Sequence, residues 1–126
     1  MRRSLTILGI LLLAGVARAE LPSATDAMVR QTLAAGKPTV IDLGARTCTS
    51  CKKMAPILES LSAEYRGKAA VLFIDVRADQ DAARKFGVQM IPTQIFFDAK
   101  GKEVSRHIGF MDRDDLIKGL TAAGLK

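Results

Sequence analysis

Thr39-Val-Ile-Asp-Leu-Gly44 and Ala69-Ala-Val-Leu-Phe-Ile-Asp-Val76 are almost uninterrupted apolar runs of strand length, and helical patterns follow both. Strands that do not alternate apolar with polar residues are expected to be buried on both faces, as in a sheet covered by helices. That requirement excludes most folds for a chain of 126 residues.

The rest of the pattern fits it. Ser23, Thr25 or Asp26 can cap a first helix that turns Met28, Val29 and Leu33 inward and stops at Gly36. Lys37-Pro38 breaks the chain before the first strand. Residues 50–66 carry Met54, Ile57, Leu58, Leu61 and Tyr65 at helical spacing, with Gly67 as the stop. Pro56 lies inside this helix and is expected to kink it. Asp79 can cap a short helix to Phe86, closed by Gly87. Residues 94–98 and 103–108 read as a hairpin about the turn Asp98-Ala-Lys-Gly101. Asp112 can cap a last helix carrying Leu116, Ile117 and Leu120. The order helix, strand, helix, strand, helix, strand, strand, helix predicts an α/β domain with a mixed sheet of about four strands between helical layers.

Residues 1–19 stand apart. Arg2 and Arg3 precede an apolar run from Leu5 to Val16, and Ala17-Arg-Ala19 has the small-x-small form of a signal-peptidase site. The run is shorter than the about 20 residues of a membrane-spanning helix. Residue 20 is a glutamate, which is no site for a lipid anchor. The expectation is a cleaved signal peptide over 1–19, one domain over 20–126, and a soluble product in the periplasm or otherwise exported. The leader holds three of the arginines and no acid, so the net charge of +6 overstates that of the domain. Basic and acidic residues are interleaved, and aromatic residues are few. No nucleic-acid surface is therefore expected.

Cys48 and Cys51 are the only cysteines. They lie between the first strand and the long helix. A disulfide between them closes a very small loop and removes little unfolded-state entropy, so it makes a poor staple and a good redox switch. The thiolate is the reactive form of cysteine, and a helix N-terminus favours it. Cys48, just before the helix, is expected to attack. Cys51, inside the first turn and more enclosed, is expected to resolve the mixed disulfide. Zinc would need four ligands where only two cysteines and the distant His107 are available. Covalent haem attachment would need histidine where Lys52 stands.

Asp42 sits among Val40, Ile41 and Leu43, six positions before Cys48. Held inside such a strand it would have a raised pKa and could relay the proton of Cys51; at the strand's end it would simply face water. Ile91-Pro92-Thr93 can present backbone to the sulfurs if the proline is cis, or start a strand with an ordinary trans proline. Arg46, Lys52 and Lys53 can lower the pKa of Cys48 or form a solvated rim. Met90 can line a docking surface or enter the core. His107, a lone histidine without a ligand set, reads as a surface or packing residue.

From Thr39 to Leu120 the chain resembles thioredoxin. The shared features are Asp42, Cys48-Thr-Ser-Cys51 with Lys52 after it, Pro56 five positions on, Ile91-Pro92-Thr93, and Gly109. The resemblance implies a thioredoxin fold, a three-layer α/β/α arrangement. It also implies a cis Pro92, a buried Asp42, a nucleophilic Cys48 and a redox-active Cys48–Cys51 disulfide with no further cofactor. Thr47, Ile91, Pro92 and Thr93 would form the substrate-holding surface around the sulfurs. Thr47 and Gly44 stand where thioredoxin has tryptophans, Thr49-Ser50 where it has Gly-Pro, and Phe73 where a lysine usually neighbours the aspartate. Strongly oxidising relatives carry a histidine between the cysteines and a large helical insertion, both missing here.

The leading expectation is therefore an exported thiol–disulfide oxidoreductase, acting as a monomer to reduce protein disulfides. In small exported thioredoxins, which the leader and residues 94–110 resemble, electrons usually arrive from a membrane thiol transporter. They pass to exported proteins or apocytochromes. An oxidase or isomerase of higher potential with the same site, and a non-enzymatic binding module of the same fold, are the alternatives.

Overall fold

The first strand, β1 (Thr39–Gly44), is buried at every position, as its unbroken apolar run requires. In the computed structural model, which describes residues 20–126, it lies inside a four-stranded sheet of order β2-β1-β3-β4. Here β2 is Ala70–Asp75, β3 is Thr93–Phe97 and β4 is Glu103–Ile108. β1 pairs parallel with β2 and antiparallel with β3, and β3 pairs antiparallel with β4. The expected signal peptide, 1–19, lies outside the described residues.

Four helices complete the domain: α1 (Asp26–Leu33), α2 (Thr49–Glu64), α3 (Gln80–Phe86) and α4 (Arg113–Ala122). Side chains alternate across the sheet, so each strand feeds two cores. On one face Val40, Val71 and Phe96 meet Met54, Leu58 and Leu61 of α2 and Leu116 and Leu120 of α4. On the other face Ile41, Leu43, Ile74 and Ile95 meet Val29 of α1 and Ala82 of α3. The result is the expected three-layer α/β/α thioredoxin fold.

Thr25, rather than Ser23 or Asp26, caps α1, while Asp79 and Asp112 cap α3 and α4 as their sequences predict. Ser23 instead anchors the lead-in segment. Its hydroxyl accepts from Asp75 N–H, and Ala24 N–H donates to Phe73 O, so this segment runs along the outer edge of β2. β2 is only partly buried, whereas its apolar sequence predicts cover on both faces. Its place at the sheet's edge explains the difference, since helices cover the two central strands best. α2 continues through Pro56 to Glu64. In the β3–β4 turn, Gly101 takes φ 78°, and a Cβ there would meet Leu33 O at 2.8 Å. Only glycine fits that site.

Candidate active site

The last β1–β2 pair is Gly44 with Asp75, so the chain leaves two adjacent parallel strands at the same end of the sheet. Ligand and active sites of such sheets form at the carboxyl ends of the strands. From this end of β1 the chain runs through Ala45, Arg46 and Thr47 to Cys48, the N-cap of α2. Cys48 Sγ accepts from Cys51 N–H at 3.4 Å, as a capping side chain does. Cys48 is half-buried and Cys51 is buried, and both thiols are free.

Their acidities are split. The hydrogen bond from the Cys51 thiol lowers the pKa of Cys48, and backbone donors from Cys51 and Ser50 and the charge of Arg77 add to the effect. Burial pushes Cys51 up to about 12, with the Cys48 contact and the charge of Asp42 acting in the same direction. The attacking and resolving roles anticipated from position along the helix thus have an electrostatic basis.

Asp42 is fully buried, which removes the reading of a solvent-facing strand end. Desolvation raises its pKa from 3.8 to about 6, opposed by a hydrogen bond from Gln94. Gln94 Nε2 donates to Asp42 Oδ1 at 3.0 Å, while Oδ2 is buried without a protein partner. Gly44 leaves open the space between that oxygen and the resolving thiol. A Cβ at Gly44 would lie 2.9 Å from Cys51 Sγ and 3.5 Å from Asp42 Oδ2. Phe73, opposite Asp42 in register, fills the position where a cation was expected to be missing.

Ile91–Pro92 is a cis peptide. The β1–β3 ladder ends at Leu43 with Thr93, so Ile91 and Pro92 continue past it alongside the end of β1 that leads to Cys48. Pro92 is buried, Ile91 half-buried, and Pro92 O accepts from Gly109 N–H at 2.7 Å. Thr93 is buried and donates its hydroxyl to Met90 O at 2.6 Å. Met90 is 63 % exposed, which excludes the core role open to it from sequence. Thr47 is exposed, and its hydroxyl accepts from the Arg77 guanidinium.

The three basic residues near the motif divide between the two readings left open for them. The Arg46 guanidinium is engaged elsewhere: it donates to Glu20 and to Leu21 O, and lies 4.8 Å from the centre of the Phe73 ring. Lys52 and Lys53 are exposed on the rim. The cation that favours the Cys48 thiolate is Arg77, which sequence reasoning missed. It lies two residues beyond β2, and the parallel pairing of β2 with β1 would have pointed to it. Gln94 was missed as well; its signal was a lone amide on the strand that pairs with the one carrying Asp42. Among the described residues no cluster of three or more His, Cys, Asp or Glu side chains could hold a metal ion.

The family model described as Thioredoxin matches residues 21–122. The chain belongs to the thioredoxin family. Thioredoxins from Staphylococcus aureus strains MW2 and COL are 40% identical over 81 residues, which span 64% of this chain and 77% of theirs. A solved mutant thioredoxin from Halobacterium salinarum NRC-1 superposes with a TM-score of 0.72 at 27% identity. That match covers 82% of this chain and 88% of the other. The protein is thus a thiol–disulfide oxidoreductase of the thioredoxin type, acting on protein disulfides, and thioredoxins need no bound cofactor.

Proposed function

We propose that this thioredoxin is an exported reductase of protein disulfides working through the Cys48-Thr-Ser-Cys51 dithiol. The observation that carries the reading is the unequal pair: an accessible thiol of lowered pKa at the N-cap of α2, beside a buried thiol of raised pKa.

The Cys48 thiolate attacks one sulfur of a substrate disulfide, forms a mixed disulfide, and releases the other substrate sulfur as a thiolate. Cys51 then gives its proton to Asp42 Oδ2 and attacks Cys48 Sγ. The Cys48–Cys51 bond forms, and the second substrate thiolate leaves. Two electrons have passed from the dithiol to the substrate. Ile91, Pro92, Thr93 and Thr47 supply the surface against which the substrate backbone lies.

Export rests on the leader-like residues 1–19, and the reducing direction on a motif without a histidine between its cysteines. The expected partners are exported protein disulfides, with a membrane thiol-transport protein as the source of electrons. Equilibration with glutathione tests the direction. A potential nearer the about −270 mV of a reducing thioredoxin supports the proposal, and one near about −120 mV, that of a strong oxidant, overturns it. Insulin reduction that Cys48→Ser does not abolish would overturn the assignment of the nucleophile.

A further inference from the structure

Asp42, Gln94 and His107 form one cross-strand row. Asp42 pairs with Gln94 across β1 and β3, and Gln94 with His107 across β3 and β4. Residues directly opposite one another project to the same face. Their side chains are joined: Gln94 Nε2 lies 3.0 Å from Asp42 Oδ1, and His107 Nδ1 lies 3.0 Å from Gln94 Oε1. The row begins fully buried at Asp42 and Gln94 and ends at His107, exposed on the edge strand.

The middle amide has two orientations with different consequences. As placed, its NH₂ group donates to Asp42 Oδ1 and, at 3.1 Å, to Met54 Sδ. Its oxygen then needs a donor, and His107 supplies one when Nδ1 carries hydrogen. Turned over, the amide would set its oxygen against a carboxylate oxygen and a thioether sulfur, two acceptors. Asp42 would be tolerated there only with a proton on Oδ1. Met54 of α2 meets the row at Gln94, Cys51 of α2 lies beside Asp42, and Phe73 of β2 stands opposite it in register; none of these three is a cation. Among the described residues the Gln94 amide is the carboxyl's side-chain hydrogen-bond partner, and it engages Oδ1 while leaving Oδ2 open.

We propose that Gln94 and His107 are positioning residues for the Asp42 proton transfer: exposed His107 orients the Gln94 amide, and the amide occupies Oδ1, so that the proton comes and goes at Oδ2, on the side of Cys51. The proposal rests on the reading of Asp42 as the proton acceptor and adds what decides which oxygen accepts.

The test is a carbon-13 titration of the Asp42 carboxyl in the reduced protein, beside the pH profile of mixed-disulfide resolution. The proteins are wild type, Gln94→Leu, His107→Leu and His107→Asn. Gln94→Leu removes a donor to the carboxylate and is expected to move the titration up by about one pH unit. His107→Leu frees the amide to turn and is expected to move it part of that way. His107→Asn offers an amide donor in place of Nδ1–H and is expected to restore the wild-type midpoint. The rate profile should follow the carboxyl in each protein.

His107 is exposed, so its variants keep the test intact if Gln94→Leu fails to fold. A His107→Leu titration that superimposes on wild type, or a His107→Asn protein that behaves like His107→Leu, overturns the orienting role. A titration that moves while the rate profile does not would instead overturn Asp42 as the acceptor.

Discussion

Asp42→Asn should make this protein more stable, and only above acidic pH. The unfolded chain releases the Asp42 proton near the ordinary 3.8, and the folded chain holds it to about 6. Between those values the folded state binds more protons, so stability falls as pH rises and then levels off once both states are ionised. A difference of about two pH units corresponds to about 3 kcal/mol lost across that window. Asparagine has no charge to desolvate and keeps an oxygen that can accept from Gln94 Nε2, so D42N avoids most of the loss. The two proteins should be equally stable near pH 3.5. By pH 8 the variant should lead by about 2–3 kcal/mol, or roughly 10–20 °C in Tm for a domain of this size. Guanidinium unfolding of the reduced proteins across this range measures the difference, and most of the shared cysteine titration cancels in it. A wild-type-to-variant gap that stays constant with pH would refute the claim that burial of this carboxyl governs its acidity.

Three other expectations follow from neighbouring contacts. Arg77→Gln removes a positive charge that favours the Cys48 thiolate, so alkylation of Cys48 at pH 7 should slow by a few-fold; an unchanged rate would count against the role of that charge. Gly44→Ala puts a methyl group 2.9 Å from Cys51 Sγ, so single-turnover reactions should accumulate mixed disulfide at Cys48, visible by acid trapping and mass spectrometry. Gly119→Ala would press a methyl group to 2.3 Å from the Phe96 ring under α4, and denaturant unfolding should show a loss of about 1–3 kcal/mol.

Much of this site was legible before the fold was known, because it is local. The N-cap position of Cys48 depends on a strand ending at Gly44 and a helix starting within a few residues, and both signals are contiguous in sequence. Asp42 among apolar neighbours raised the reading of a buried acid for the same reason, and the thioredoxin resemblance added weight to it. The role of Arg46 stayed open, because closeness in sequence is a poor guide to direction in a loop. Glu20, Leu21 O and the Phe73 ring hold it, and all three come from distant segments. Met90 could not be assigned from its apolar character alone, since that character suits a core and an exposed surface equally.

The sequence by itself determined the covered sheet, the dithiol at a helix start and the acid on the strand before it, since each follows from neighbours a few residues apart. Only the tertiary structure decided which cation faces Cys48 and what touches Asp42. Parallel pairing brings the end of β2, with Arg77 beyond it, beside the end of β1. Antiparallel pairing sets Gln94 and His107 in one row with Asp42. Hydrogen bonds between strands fix those neighbours, and strand register is a property of the assembled sheet rather than of any one segment.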